Sequence, residues 1–227
     1  MKEQQSKRLR SMIVIALFAA MAYVAMLLLH IKVSFLTLDV KDAVITLCGL
    51  YFGPMAALIV SIIVPLLELI TVSSTGFYGL IMNILGSVAF SVTASLIYKW
   101  KKTFWGAIVA LLCAMAAMTS VMLLANLLIT PYYMGVTVSE VWALIPTLLL
   151  PFNAVKAALN AGVVLLLYKQ LSLALRRARV LPASTRKEGT ERNVLRSLLV
   201  ILSACLLIAA CAVVIFVVLG GKLTFGA

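Results

Sequence analysis

The sequence predicts an all-α integral membrane protein with six helices and a seventh apolar helix at its carboxyl end. Of its 227 residues, 64% are hydrophobic and only 11% are charged. This is too little polar surface for a water-soluble domain. The apolar residues also form long uncharged runs, each long enough for one or more bilayer spans of about 20 residues. These runs cover residues 11–29, 43–67, 69–98, 103–139 and 197–221.

The basic residues indicate membrane topology rather than contact with nucleic acid. Lys and Arg number 19 against 7 Asp and Glu, which gives a formal charge of +12. The cations cluster outside the apolar runs, before residue 11, at 99–102 and at 169–196. Cytoplasmic loops carry this excess of Lys and Arg. We therefore expect a multi-pass protein in the lipid bilayer with a cytoplasmic amino terminus, and no nucleic-acid partner.

The first half of the chain contains one break that decides the topology. The first helix covers about residues 12–29, and an unusually apolar loop follows at 31–42. The next run would be a single span, but Gly53 and Pro54 interrupt it, and proline disfavours helix in the residue before it. If this run crossed the bilayer only once, the cations at 99–102 would lie on the side of the membrane opposite the basic amino terminus. That arrangement would go against the excess of Lys and Arg on the cytoplasmic side. We therefore expect a short second helix at 43–52 and a third at 54–71.

The second half contains three further predicted spans. Pro131 and Gly135 indicate an outer loop after the fifth helix, and Pro146 and Pro151 fall in the first turns of the sixth. The fourth, fifth and sixth helices are predicted at about 79–98, 104–129 and 144–168. The chain divides into a six-helix membrane domain at 1–178, a basic polar linker at 179–194, and an additional carboxyl-terminal helix with a short tail at 195–227.

Two ionisable residues lie well within apolar runs of the six-helix block, Glu68 and Lys156. A charge at the bilayer centre costs about 2.5–3.5 kcal/mol on insertion scales, so such residues face a cavity or a partner. Both are candidates for a ligand site, and pairing or snorkelling to the headgroups is the alternative. Lys156 falls in the outer half of its span, so a site at that depth opens outward.

Polar amides accompany these charges. Asn153, Lys156 and Asn160 are spaced at three and four residues and share one helical face. Asn126 lies near the outer end of the fifth helix. An amide offers donors and an acceptor, which suits the polar edge of a flat heterocycle. For Asn83 and Asn160 the alternative to a ligand role is a hydrogen bond to a neighbouring helix, which is a common role of amides in membranes.

The motifs of an enzyme are missing from the sequence. It contains no phosphate-binding loop, no zinc-protease motif and no hydrolase serine motif, and its four cysteines have no metal-ligand spacing. We therefore expect a non-enzyme without cofactor or metal. Ala16 and Ala20 form a small-xxx-small pair that allows close approach of another helix.

Several elements together resemble the riboflavin-specific S component of energy-coupling factor (ECF) transporters, over about residues 8–175. No single one of these elements is specific; the combination is. They are FLTLDVKD at 35–42, YFGP at 51–54, STGFYGLIMN at 74–83, NLLITPYYMG at 126–135 and PFNAVKAALN at 151–160.

The resemblance implies a six-helix protein of a bacterial cell membrane. It implies a subunit that captures riboflavin from outside with high affinity and works with a transmembrane T component and two cytoplasmic ATPases. In that family's pattern, Leu36, Thr37 and Leu38 lie near the flavin ring and Asp39 shapes their loop. Asn126, Asn153 and Lys156 match the polar ligands, and Ala16 and Ala20 match the T-component contact. The seventh helix departs from the family's six.

Three alternatives stay open from the residues. One is an S component for another vitamin, such as thiamine or biotin. Another is a self-sufficient secondary transporter that uses Glu68 as its coupling carboxylate. The third is a membrane enzyme or assembly factor that uses the seventh helix for interaction. No motif in the sequence supports this alternative.

Overall fold

The computed structural model describes residues 2–73, 75–178, 180, 190–220 and 222–223, and over these the protein is a helical membrane bundle. Five described helical segments are long and apolar enough to cross a bilayer. They are Leu9–Leu28, Pro54–Thr71, Gly76–Trp100, Phe104–Met134 and Val138–Arg177. The predicted all-α membrane class is thereby confirmed.

The first helix leads into a small hairpin that sequence reasoning treated as a loop. Helix α1 spans Lys2–Leu28, and strands β1, Ile31–Val33, and β2, Leu36–Leu38, follow it as an antiparallel pair. The turn between the strands places Ser34 at φ 56°, a left-handed conformation that is uncommon outside glycine. The apolar residues of segment 31–42 are therefore explained by a hairpin that packs on the bundle.

Helices α2 and α3 meet at the predicted break. Helix α2 spans Lys41–Phe52 and α3 spans Pro54–Thr71, and Gly53 joins them with φ 95°, which glycine adopts without strain. At about 1.5 Å per residue, α2 is too short to cross a bilayer of about 30 Å. Every residue from 41 to 50 is buried, and α1, α3 and two later helices pack around α2.

Helix α4 spans Gly76–Trp100 and α5 spans Phe104–Met134. The Thr103 side chain caps α5 by accepting from the Gly106 backbone N–H. The expected outer loop at Pro131 is wrong in one respect, because α5 continues through Pro131 and ends at Gly135, whose φ is 67°. A proline in the last turn of a membrane helix is tolerated where neighbouring groups satisfy the freed backbone.

The sixth predicted span is one continuous helical segment of three parts. Helix α6 spans Val138–Leu144, a π-helical turn covers Ile145–Leu149, and α7 spans Leu150–Arg177. Thr137 and Glu140 form a capping box at its start, which fixes where the helix begins. The π turn precedes the polar face of α7 and is a feature often found beside functional sites.

The carboxyl-terminal part contains helix α8, Thr190–Val213, a π-helical turn at Val214–Val218 and strand β3, Lys222–Leu223. Strand β3 pairs with β1 and gives a sheet of order β2-β1-β3. Residue 179 and residues 181–189 of the predicted linker at 179–194 lie outside the described part of the chain. Helix α8 begins at Thr190, ahead of the predicted start at 195. The proposed division into a domain, a linker and an added helix stays a prediction.

Small side chains fill the helix interfaces of the core. In a bilayer, small residues allow close contact between helix backbones, and this packing supplies much of the association energy. The fully buried alanines include Ala43, Ala57, Ala94, Ala110, Ala114 and Ala157.

Candidate functional site

A cleft opens at the end of the bundle where the β1–β2 hairpin lies. Its enclosed part is small, about 100 Å³, and the wide mouth brings the total empty volume to about 810 Å³. Its walls come from the hairpin, from the end of α3 and the turn that joins it to α4, and from α4, α5 and α7. The polar lining residues are His30, Thr37, Glu68, Ser73, Thr75, Asn83, Asn126, Thr130, Asn153 and Lys156, and the apolar ones include Phe35, Leu36, Met82, Met122, Ile129 and Phe152.

Lys156 reaches from α7 to the hairpin. Its Nζ donates to the backbone carbonyl of Thr37 at 3.1 Å and to Oδ2 of Asp39 at 3.0 Å. The residue is 7% exposed, so the ammonium is paired inside the protein. An ammonium has three N–H donors, and these two bonds leave one donor for a ligand in the cleft.

Asp39 lies behind the hairpin and holds the lysines in place. Burial by itself raises the pKa of this carboxyl, but the charges of Lys156 and Lys41 outweigh burial and lower the pKa to about 2. Its Oδ1 also accepts the backbone N–H of Lys41 at 3.1 Å. Asp39 is therefore a carboxylate at physiological pH, with a structural part in positioning Lys156.

A second buried pair joins α2 to α3. The Nζ of Lys41 donates to Oε2 of Glu68 at 2.6 Å, and Nδ2 of Asn83 donates to Oε1 of the same carboxylate at 3.0 Å. Sequence reasoning missed Lys41 because it placed this residue in a loop, whereas the structure buries it completely in the first turn of α2. The acidic and basic residues at 39–42 were the feature of the sequence that could have indicated a buried ion pair here.

Asn153 carries an acceptor that no protein group uses. Its Nδ2 donates to the backbone carbonyl of Leu149 at 2.7 Å, while its buried Oδ1 has no hydrogen-bond partner. A buried acceptor without a partner costs about 1–3 kcal/mol, so a group that donates to it from the cleft gains that energy back. Asn153 lines the cleft one turn before Lys156, which sets an acceptor beside a donor.

Of the other two candidate amides, Asn126 lines the cleft and Asn160 joins two helices. Asn126 lines the cleft, donates to the carbonyl of Met122 at 2.7 Å and accepts from Thr130 at 2.9 Å. Asn160 lies deeper, accepts from the backbone N–H of Ala43 and donates to the carbonyl of Asp39. Asn160 is therefore a link between α7 and α2, as the packing interpretation of this residue expected.

The structure brings together most of the residues that the sequence singled out. Leu36, Thr37, Glu68, Asn126, Asn153 and Lys156 line one cleft. Leu38 is fully buried under the hairpin, and Asp39 lies behind the cleft wall, so neither lines the cleft. Ala16 and Ala20 lie on the exposed side of α1 and do not line it either. The expected parts of Leu38 and Asp39 in ligand binding, and of Ala16 and Ala20 in contact with the T component, remain predictions.

Aromatic residues and one histidine complete the lining. Phe35, Tyr78, Tyr133 and Phe152 line the cleft, whereas Trp142 is 64% exposed away from it. His30, which follows the end of α1, also lines the cleft. Within the described part of the chain, no cluster of His, Cys, Asp and Glu has the arrangement of a metal site.

Comparison with known proteins gives consistent matches. A family model described as "ECF transporter, substrate-specific component" matches residues 10–168. The riboflavin transporter RibU of Staphylococcus aureus (strain TCH60) is 31% identical over 183 residues, which is 77% of this chain and 95% of that protein. A solved structure titled "Structure and mechanism of the S component of a bacterial ECF transporter" superposes with a TM-score of 0.64 at 30% identity. It aligns with 75% of this chain over 99% of its own.

Proposed function

This chain belongs to the family of substrate-specific components of ECF transporters, and from that premise we propose that it captures riboflavin with high affinity for ATP-dependent uptake. The observation that carries the choice of ligand is the unused acceptor of Asn153 beside the Lys156 ammonium, in a cleft whose walls also offer apolar and aromatic surface. The S. aureus relative, named as a riboflavin transporter, supports the same choice.

The polar edge of a flavin matches that pair. Its imide presents one N–H donor between two carbonyl acceptors. The unused Oδ1 of Asn153 accepts the ring N–H, and the remaining N–H of Lys156 donates to a ring carbonyl. Both protein groups are buried, so a ligand that satisfies them is favoured over one that leaves them unpaired.

The apolar part of the cleft accommodates a flat, uncharged ring system. Phe35 and Leu36 on the hairpin and Phe152 on α7 contribute apolar and aromatic surface. The ribityl hydroxyls have partners in Asn126, Thr130 and Glu68. An apolar slot with a few directed hydrogen bonds is the usual design for such ligands.

The energy for uptake comes from partner subunits in this proposal. The sequence has no phosphate-binding loop, and the family to which it belongs supplies energy through other chains. The partners are a transmembrane T component and two cytoplasmic ATPases. The amino terminus is cytoplasmic, and the cleft faces the outside of a bacterial cell membrane.

The use of Glu68 as a coupling carboxylate has less support. Both of its oxygens already accept hydrogen bonds, from Lys41 and from Asn83. Coupling requires a carboxylate to exchange its partners during transport, whereas these two contacts already hold Glu68 between α2 and α4.

Purification and titration test the proposal. Protein extracted in mild detergent from cells supplied with riboflavin should be yellow, and apoprotein should quench flavin fluorescence on titration. Lys156→Ala and Asn126→Ala should each weaken binding, while Lys102→Ala, an exposed lysine at the opposite end, should not. A colourless protein without quenching, or competition by thiamine or biotin instead, would reject the riboflavin assignment.

A further inference from the structure

Helix α8 runs back along α7 toward the hairpin. Gly162, in the middle of α7, faces Ile208 and Leu207 of α8, and a Cβ at Gly162 would lie only 3.1 Å from Cγ1 of Ile208. The middle of α7 therefore packs closely against the second half of α8. The helical segment from Thr190 to Val218 spans about 43 Å at about 1.5 Å per residue, so it reaches across the bundle.

The end of α8 packs under the hairpin. Cys211 and Ile215 belong to one apolar cluster with Ile31, Val33, Leu38, Phe152 and Leu159. Ile215 is 1% exposed, although its neighbours Val213 and Val217 are largely exposed. Because this cluster joins α8, the hairpin and the Phe152 wall of the cleft, α8 supports the hairpin from behind.

Strand β3 continues this support at the backbone. Leu223 pairs with Ile31, and Lys222 pairs with Lys32, on the edge of β1 that β2 leaves free. A hairpin with three residues in each strand is marginally stable alone, and a third strand adds ladder hydrogen bonds. The free edge of β1 is covered as well.

The supported hairpin is also a wall of the cleft. Leu36 and Thr37 line the cleft, and the Thr37 carbonyl accepts from Lys156. The match to the family model ends at residue 168, so α8 and β3 lie beyond the matched residues. They reach the walls of the cleft at the hairpin and at Phe152.

We propose that α8 and β3 form a C-terminal latch that positions the hairpin and sets how fast ligand enters and leaves the cleft. The identity of the ligand rests on the proposed function. The latch stabilises the closed hairpin, so weakening it makes hairpin opening more frequent. Because both entry and release pass this wall, the association and dissociation rate constants rise together and the Kd changes less than either.

Two variants weaken the latch at separate points. Ile215→Ala removes a buried contact of the π-helical turn that continues α8, and Leu206→Ala is the matched control because Leu206, on α8, is 63% exposed. The double variant Lys222→Pro with Leu223→Pro removes the backbone donors of β3. Stopped-flow flavin fluorescence on the full chain should show both rate constants raised about fivefold in each latch variant and unchanged in the control.

Hydrogen exchange of the apoprotein gives a readout that needs no ligand. Amides of residues 31–38 should exchange about fivefold faster in both latch variants than in the wild type. Unchanged exchange would overturn the latch, as would a faster dissociation with an unaltered association rate, which indicates a damaged cleft. If the wild type fails to quench flavin, the riboflavin assignment fails, and the exchange comparison alone decides the latch.

Discussion

The Nζ of Lys41 lies 2.6 Å from Oε2 of Glu68 and 3.4 Å from Oδ2 of Asp39, and all three side chains are almost completely buried. One cation thus joins the loop after β2 to helix α3. Buried pairs bring little net stability, because desolvation offsets their attraction, but removal of one partner leaves an uncompensated charge.

Lys41→Met should therefore destabilise the protein strongly, by about 3–5 kcal/mol. A large fall in the apparent melting temperature in detergent would report it. The double variant Lys41→Met with Glu68→Leu should melt above the single variant, because it removes a carboxylate that has lost its partner. Lys99→Met, at an exposed lysine, is the control. Equal melting temperatures for Lys41→Met and Lys99→Met would contradict this account.

Substitution of Asn153 should lower the affinity for the ligand, whereas substitution of Asn160 should lower the stability of the protein. Asn153→Leu removes an acceptor that lacks a partner in the protein, so affinity for riboflavin should fall about tenfold while the melting temperature stays near that of the wild type. Asn160→Leu removes bonds to Ala43 and Asp39 and should lower the melting temperature. Fluorescence titration and thermal melting of both variants check this, and a reversed pattern would exclude Asn153 as a ligand group.

Local chemistry let the sequence predict much of the fold and part of the site. The break between α2 and α3 follows from Gly53 and Pro54 alone, so both helices were placed within two residues of their observed ends. The positions of Asn153 and Lys156 on one face follow from helical spacing. Such features depend on neighbours in the chain and on the cost of a charge in the membrane.

Features that depend on distant partners were missed. The hairpin at 31–38 gains its third strand from residues 222–223, nearly two hundred residues away in the chain. Lys41 can be buried only because Glu68 faces it. Pro131 stays helical because the surrounding bundle overrides its local tendency to end a helix.

As the pH falls, protonation of His30 should lower the stability of the protein before protonation of Asp39 does. Partial burial lowers the pKa of His30 below its ordinary 6.5, against the opposing charges of Asp39 and Glu68. A lowered histidine pKa means that the unfolded chain binds the proton more readily, so stability is retained above pH 6.5 and lost as pH falls through the folded-state pKa. Asp39, with its pKa at about 2, keeps its contribution above its ordinary pKa of 3.8 and loses it only as pH falls toward 2.

Melting temperatures measured at steps from pH 8 to pH 5 check this order. The melting temperature of the wild type should stay constant down to about pH 7 and fall at lower pH. His30→Gln should decline less over the same interval, because the titrating group is gone. An identical decline in both proteins would assign the acid sensitivity to other groups.

The exposed side of α1 should serve transport without serving binding. Ala16 and Ala20 are one turn apart on this exposed side and do not line the cleft, and small residues at this spacing let a second helix approach closely. Ala16→Leu with Ala20→Leu should therefore leave flavin affinity unchanged and abolish ATP-dependent riboflavin uptake in cells or vesicles that contain the T component and both ATPases. Ala116→Leu, at an exposed alanine of α5, is the matched control and should transport normally. Normal uptake by the double variant would place the partner contact on another face, whereas a loss of flavin binding would mean that α1 supports the cleft itself.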